Sequence, residues 1–568
     1  MRTRRQLMST SCLVAGAGLC LLVGASLPGT SLAEDRGGSG TASPIQHLVI
    51  IFQENVSFDH YFATYPLALN PKGEPSFRAA DDTPSVNGLG TLVDGQPEGV
   101  LLTHNPNATN AANGTDAINP FRLARSQAPT CDQDHNYGDE QKAFDQGLMD
   151  LFPASVGVGS CTPPYDWGKG KGLVMGYFDG NTVTALWNYA QNFAMNDNSF
   201  GTTFGPSTPG LMNLVAGNTS PATINAAGPS SGVVAITNGV GTVVSDPQPT
   251  GDVCSSATRT QVQMGGKNIG DLLNAKFVTW GAFMGGFDLT VTNLNKTTGC
   301  NRSTPGSASN ITPANPTGAT ADYIPHHAFF QYWASTANPT HKRPGTLKAI
   351  GTSNDGGVNH QYDLHDFFDA LKVGNMPAVS FLKAIAAGDG HAGYSDPLLE
   401  QSIMLVPTIN AIMRSPFWKS TAIIVMYDDS DGWYDHQMSP IVNSSAVLNS
   451  ASPGNGDQLN AAGKCGNGTP LEGIQGRCGY GPRQPLLVIS PFAKTNFVDH
   501  ALTDQSSVLR FIEENWGTGQ IGDGSFDQLA GPLWNMFDFD DHALHGLTFG
   551  RRQLILDPST GQPSGKDR

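Results

Sequence analysis

The sequence predicts an α/β fold with a mainly parallel central sheet flanked by helices. Three observations carry the prediction: continuous apolar, β-branched runs recur at separated places, helical periodicity appears between them, and polar clusters follow two of the runs directly. His47-Leu48-Val49-Ile50-Ile51-Phe52 is the first run. It does not alternate, so it reads as a strand buried on both faces, and the Gly/Ser-rich stretch at about 36–43 reads as a linker before it. Gly180 to Phe193 has the polar entry and apolar spacing of a helix. Asp396 to Met413 is a longer periodic stretch, leading to the second run, Thr421 to Tyr427. Pro485 to Ser490 is the third run, and Ser506 to Trp516 follows with Val508, Leu509, Phe511 and Ile512 at helical intervals. Two stretches interrupt the pattern. Residues from Asn218 to about 320 are rich in Thr, Asn, Ser, Gly and Ala and contain Cys254 and Cys300, and about 440–485 is loop-rich and contains Cys465 and Cys478. Residues 34–568 are therefore expected to form a single domain with disulfide-stapled insertions at about 218–320 and 440–485. Two independent domains joined through the first stretch are the alternative, but the runs on either side look like parts of one sheet.

Composition excludes several classes. Charged residues make up 14% of the 568, against about 25% in an average domain, and Gly 67 with Pro 38 mark a loop-rich globular chain. Charged heptads are absent, which excludes a coiled coil, and glycine has no three-residue period, which excludes collagen. A formal net charge of −16 excludes a basic nucleic-acid binder, so no nucleic-acid partner is expected. Residues 1–33 read as an export signal: Arg2, Arg4 and Arg5, an apolar run from Cys12 to Leu27, and Ser31-Leu32-Ala33 as a small-residue cleavage site. Thr3-Arg4-Arg5-Gln6-Leu7-Met8 is similar to a twin-arginine motif; an ordinary Sec signal is the alternative, and either delivers the chain to the periplasm or beyond. No later stretch reaches the roughly 18 apolar residues of a spanning helix, so no stable membrane anchor is expected. Cleavage removes three arginines and no acidic residue, taking the formal charge from −16 to −19, which favours solubility over adhesion to anionic lipid. The sequence sets no oligomeric state.

Cys12 and Cys20 leave with the signal. Cys131, Cys161, Cys254, Cys300, Cys465 and Cys478 remain, an even number without a Cys-x-x-Cys pair, which reads as three disulfides in an oxidising compartment. Sequential pairing closes the shortest loops among the many connectivities that six cysteines allow.

Candidate chemistry sits where open α/β sheets place ligands, at strand exits. Glu54 and Asn55 follow the first run after one residue, and Asp428 and Asp429 follow the second directly, within Asp428-Asp429-Ser430-Asp431-Gly432-Trp433-Tyr434-Asp435-His436. Adjacent carboxylates repel, and a cation shared with Glu54 relieves that cost; a solvated acidic turn is the competing explanation. An oxygen-rich set points to one divalent metal ion such as Ca, Mg or Mn, with nearby histidines leaving Zn or Fe open. Phe204-Gly205-Pro206-Ser207-Thr208-Pro209-Gly210 is a stiff turn into an apolar helical stretch. Ser207 falls near that helix N-terminus, where N–H groups suit a phosphate and a metal can activate the hydroxyl; a helix cap without chemistry is the alternative. His135, the pair His326-His327, His391 and His436 each lie in a polar cluster, a pattern that fits imidazoles around a phosphate. Gly228-Pro229-Ser230-Ser231-Gly232 matches the serine-hydrolase elbow, but no convincing strand precedes it, so it reads as coincidence.

Several longer segments occur in order between about 45 and 516. They are Glu54 to Phe62, Asp134-His135-Asn136-Tyr137 with Glu140-Gln141, Gly205 to Pro209, Pro325-His326-His327 with Phe330-Gln331-Tyr332, Asp389 to Pro397, Asp428 to His436, Ser490 to Lys494, and Thr503-Asp504 through Trp516. Together they resemble the bacterial phosphoesterase family that joins extracellular phospholipases C to acid phosphatases, a distant branch of the alkaline phosphatase superfamily. The resemblance implies an alkaline-phosphatase-like fold and a metal held by Glu54, Asn55, Ser207, Asp428 and Asp429. It also implies that Ser207 attacks phosphorus, giving a phosphoserine that water hydrolyses. His135, His327 and His391 are implied to contact the phosphate oxygens, one of them protonating the leaving group, with His327 preferred to His326. Two departures matter: the family's phospholipases usually have Thr where Ser207 stands, and the family often has Asn where Gly210 follows Pro209. The phospholipases also carry C-terminal β-domains, whereas only about 50 residues follow Trp516. The expectation is therefore a secreted metal-dependent acid phosphatase acting on a phosphomonoester substrate, with phospholipase C cleaving phosphatidylcholine-type diesters second. A binding protein with a dead phosphatase fold and a metal-independent serine esterase are weaker alternatives.

Overall fold

The computed structural model describes residues 40–93, 96–159, 161–226, 233–237, 239–450, 452–539 and 552–564. The export segment 1–33 and the Gly228 to Gly232 motif lie outside the described residues. An eight-stranded sheet organises the fold. Its strands are β1 (His47–Gln53), β2 (Ala194–Asn196), β3 (Trp280–Met284), β4 (Gln361–Asp363), β5 (Val379–Lys383), β6 (Thr421–Tyr427), β7 (Leu486–Ile489) and β8 (Phe497–Asp499). They lie in the order β4-β3-β5-β1-β6-β7-β2-β8. β1 runs parallel to β5 on one side and β6 on the other, β3 is parallel to β4 and β5, and β2 is parallel to β8.

The three apolar runs are thus strands, and the sheet is mainly parallel as expected. β6 is buried along its whole length and β1 from Leu48 onward, which is why both read as unbroken apolar runs. The third run departs from the parallel rule: β7 is antiparallel to both β6 and β2. Among the described residues between β6 and β7 there is no crossover helix, and the helical turns are short 3-10 ones at Pro453–Asn455 and Leu471–Gly473. A chain that returns from the end where it left the sheet re-enters antiparallel.

Helices α1 (Thr184–Asn192), α2 (Ser207–Ala216), α3 (Leu364–Lys372), α4 (Val406–Met413) and α5 (Ser507–Trp516) accompany the sheet. α1 packs on β2 and β7, α3 on β3, and α5 against α2. α1 starts later than its periodicity predicts because Asp179 draws the preceding residues into a turn: its carboxylate accepts the Asn181 N–H at 3.1 Å and pairs with Arg122. The periodic stretch from Asp396 is helical throughout, but Glu400–Leu405 widens into a π-turn between Pro397–Leu399 and α4. Pro407, in the first turn of α4, has no N–H to donate backward, and the wider turn lies just before it.

The polar stretch 218–320 holds more regular structure than its composition announces. Ala222–Ala226, Val233–Thr237, Val240–Val243, Gln248–Pro249 and Gln261–Met264 form a separate five-stranded sheet, and β3 of the main sheet lies in the same stretch. The cysteines pair sequentially, Cys131–Cys161, Cys254–Cys300 and Cys465–Cys478.

Ile424 sits at the middle of β6, opposite Ile50, with no exposed surface. Truncation leaves a cavity that a two-sided sheet cannot close, so Ile424→Ala should lower unfolding free energy by about 2–5 kcal/mol in a urea titration. A loss under about 1 kcal/mol would contradict this packing.

Candidate metal and phosphate site

Strand register assembles the site. Gln53 of β1 pairs with Tyr427 of β6, so the next residues, Glu54 and Asp428, leave the sheet side by side. Asn55 then turns the chain in the left-handed region at φ 63°, a conformation asparagine tolerates better than most residues. That turn lets its N–H donate to Asp428 Oδ1 at 3.0 Å, while its side-chain Nδ2 donates to Asp431 Oδ1 at 3.0 Å. The acidic loop is braced internally as well: the Asp429 N–H donates to Asp428 Oδ1 at 2.8 Å, and the Asp431 N–H to Asp429 Oδ1 at 2.7 Å.

Ser207 begins α2 after Gly205, whose φ of 113° a side chain would resist. Its hydroxyl does not cap the helix. Oγ lies 2.9 Å from Glu54 Oε2 and 3.1 Å from Asp429 Oδ2, buried between the two acidic strand exits. Gly210, one turn further on, explains how the helix comes so close: a Cβ there would lie 2.2 Å from the carbonyl oxygen of Asp428. Glu140 ties the two loops together, accepting the Gly205 N–H at 3.0 Å and the Ser430 hydroxyl at 2.7 Å, and burial pushes its pKa up to about 7.

Among the histidines, His327 reaches Glu54, with Nδ1 3.1 Å from Oε1, and its Nε2 is buried without a hydrogen-bond partner. His326 packs its ring against His327 with centres 4.4 Å apart and makes no contact with Glu54, while its carbonyl accepts the Thr208 hydroxyl at 3.1 Å. His135 and His391 form a neighbouring pair with ring centres 6.1 Å apart. His135 Nδ1 lies 3.0 Å from the Gln133 carbonyl and 3.4 Å from Asp431, and His391 Nδ1 lies 2.6 Å from the Ala392 carbonyl. His436 stands outside this group, 2.7 Å from Asp59 in a buried network with Arg483 and Asp435.

The electrostatics are those of crowded, dry carboxylates. Burial and the neighbouring Asp428 hold the Glu54 and Asp429 pKa values well above the ordinary range. At Asp428 burial is outweighed by Lys383 and by its N–H donors, and the group stays low. Burial keeps His327 and His391 neutral, whereas at His135 burial is overcome by Asp429, Asp431 and Asp132, which favour the imidazolium. Asn55 Oδ1 and Asp428 Oδ2 are buried and accept no hydrogen bond. With Glu54, Asp429 and Ser207 they make an all-oxygen donor set that fits a hard divalent cation.

Lys383 was not among the residues singled out in the sequence. It ends β5 beside β1, and its ammonium forms an ion pair with Glu54 Oε1. The available signal was a lone lysine closing the short run Val379-Ser380-Phe381-Leu382, too brief and too polar at Ser380 to read as a buried strand.

The family model for the Phosphoesterase family matches residues 45–519. A non-hemolytic phospholipase C from Pseudomonas aeruginosa is 23% identical over 516 residues, covering 88% of this chain and 58% of that protein, so this chain spans little more than half its length. Phospholipase C B of Mycobacterium tuberculosis is 23% identical over 558 residues, covering 94% of this chain and 86% of that protein. Among solved structures, a Vibrio parahaemolyticus protein in the alkaline phosphatase superfamily covers 73% of this chain and 74% of its own at 11% identity and a TM-score of 0.25.

Two outcomes follow from this geometry. Gly210→Ala should push α2 from the Asp428 carbonyl and cost about 1–3 kcal/mol, read as a lower thermal midpoint; an unchanged midpoint would show that the helix has room. At His436 burial opposes the charged form, but Asp59 and Asp435 raise its pKa above the ordinary 6.5. Its contribution to stability is full below 6.5 and is lost as pH rises through the elevated folded value. The difference in midpoint between the unsubstituted protein and His436→Gln should therefore shrink from about pH 5.5 to about pH 9, and a constant difference would contradict the ion pair.

Proposed function

Because the chain belongs to the phosphoesterase family, we propose that it is a metal-dependent phosphoric ester hydrolase of the phospholipase C type, cleaving phosphatidylcholine-type diesters through Ser207. The observation that carries the chemistry is the Ser207 hydroxyl, fixed at a helix N-terminus between Glu54 and Asp429. The substrate class rests on the relatives. The two relatives described above align over most of this chain and are phospholipases C, so the diester reading takes precedence over the monoester reading that Ser207 favoured.

Glu54, Asn55, Ser207, Asp428 and Asp429 would hold a divalent cation, whose Lewis acidity would make the hydroxyl more acidic and offset charge at phosphorus. Glu54 or Asp429 takes the Ser207 proton as Oγ bonds to phosphorus and the bond from phosphorus to the leaving alkoxide breaks. His135, charged by its acidic neighbours, gives that alkoxide its proton. Water then breaks the bond between phosphorus and Oγ, returning one proton to His135, while the carboxylate returns the other to Ser207. His327 and His391 each rest Nδ1 beside an acceptor, Glu54 and the Ala392 carbonyl, which leaves Nε2 for the phosphate oxygens. The negative charge of the diester phosphate, which grows in the transition state, favours their protonated forms, turning both into donors. The three disulfides fit an oxidising compartment, in line with the export segment read at 1–33, and no helix of the described residues is long and apolar enough to cross a membrane.

Initial rates on p-nitrophenyl phosphorylcholine and p-nitrophenyl phosphate, each with and without chelator, test the proposal. The diester should be preferred, chelator should abolish turnover of both, and Ser207→Ala should lower the rate by roughly 10³-fold or more with the fold retained. Preference for the monoester would return the protein to the acid phosphatase reading, and an undiminished Ser207→Ala rate would remove the nucleophile.

A further inference from the structure

The carboxylate site contains a cation of its own. Lys383 is buried, its side chain 1% exposed, and its Nζ is paired with Glu54 Oε1. The same ammonium lies 3.6 Å from Asp428 Oδ2, 3.5 Å from the Gln53 carbonyl oxygen, and 5.5 Å from the centre of the Phe52 ring. Each carboxylate thereby gives one oxygen to Lys383 and the other to groups of the site. Glu54 turns Oε2 to Ser207 and Oε1 to Lys383, and Asp428 turns Oδ1 to the N–H groups of Asn55 and Asp429 and Oδ2 to Lys383.

Charge balance gives this placement a purpose. Glu54, Asp389, Asp428 and Asp429 are all buried to 2% exposure or less, and when ionised around a divalent ion they carry more negative charge than that ion offsets. Two-metal phosphoryl-transfer centres answer the same problem with a second ion about 3.5–4 Å from the first. A lysine ammonium is a compact, strongly localised charge, and here it is carried on a rigid strand beside β1. Asp389 also acts on it electrostatically, so it addresses three of the four carboxylates.

We propose that Lys383 is a permanent cation of the site, supplying the positive charge that a second ion would otherwise bring, and that it limits the site to a single divalent cation. The proposal rests on the metal-dependent reading above and concerns how many ions the site takes, not whether it turns over substrate.

The test uses the full chain stripped with chelator, its thermal midpoint, and titration with Mn²⁺ followed by calorimetry and elemental analysis. The unsubstituted protein and Lys383→Arg should each bind one Mn²⁺. Lys383→Met should have a lower metal-free midpoint, and should bind either two Mn²⁺ or one at least tenfold more tightly. Should Lys383→Met fail to fold without metal, Mn²⁺ or the added change Asp389→Asn, which removes one negative charge with the positive one, should restore folding. Two ions in the unsubstituted protein, or unchanged affinity and midpoint in Lys383→Met, would overturn the proposal. So would a Lys383→Met chain that neither Mn²⁺ nor Asp389→Asn restores, since that would reveal a packing role. An unsubstituted protein that binds no divalent ion would instead overturn the metal-dependent reading, and the Lys383 proposal with it.

Discussion

Pairing of Gln53 with Tyr427 makes two carboxylates, Glu54 and Asp428, leave the sheet side by side in a dry environment, and the rest of the site answers that constraint. Two buried like charges are tolerated only when cations or donors face them. The structure supplies both, donors in the backbone N–H groups on Asp428 and a cation in Lys383, and the oxygens gathered there fit a divalent ion. Ser207 enters the same group because α2 runs close against Asp428, an approach that the missing side chain of Gly210 permits. Asparagine at that position would have to move the helix, so the departure from the family pattern has a steric meaning in this chain.

Loops gather around these strand exits, and buried polar contacts hold them there. Glu140 links the turn before Ser207 to the loop after Asp429, so Ser207 and the acidic loop share one brace. Arg483, wholly buried, reaches Asp59 after β1 and Asp435 after β6, and donates to the Asn87 and Asp197 carbonyls. Such braces fix catalytic geometry on rigid elements, which a site built from loop residues needs if the reacting groups are to stay aligned.

What was legible in the sequence was whatever left a local trace. β1 and β6 are buried on both faces, and continuous apolar runs announce them; Glu54, Asp428 and Asp429 were conspicuous because charge follows such runs at once. Ser207 was marked by its stiff turn, although its contacts with Glu54 and Asp429 needed the third dimension. Strand direction left no trace, so the antiparallel β7 was invisible until the missing crossover was seen. β3 hid within a stretch of small polar residues, and with it the five-stranded sheet beside it. Lys383 was lost for the same reason: its meaning comes from the strand next door, and a single lysine carries no period.

The account stands on Ser207 as the atom that takes the phosphoryl group. Acid-quenching the protein during turnover of a phosphorylcholine diester and mapping its peptides by mass spectrometry tests that directly. The account predicts a headgroup phosphate on the peptide that carries Ser207, absent from Ser207→Ala. Turnover with that peptide unmodified, or with the label on another residue, would contradict it.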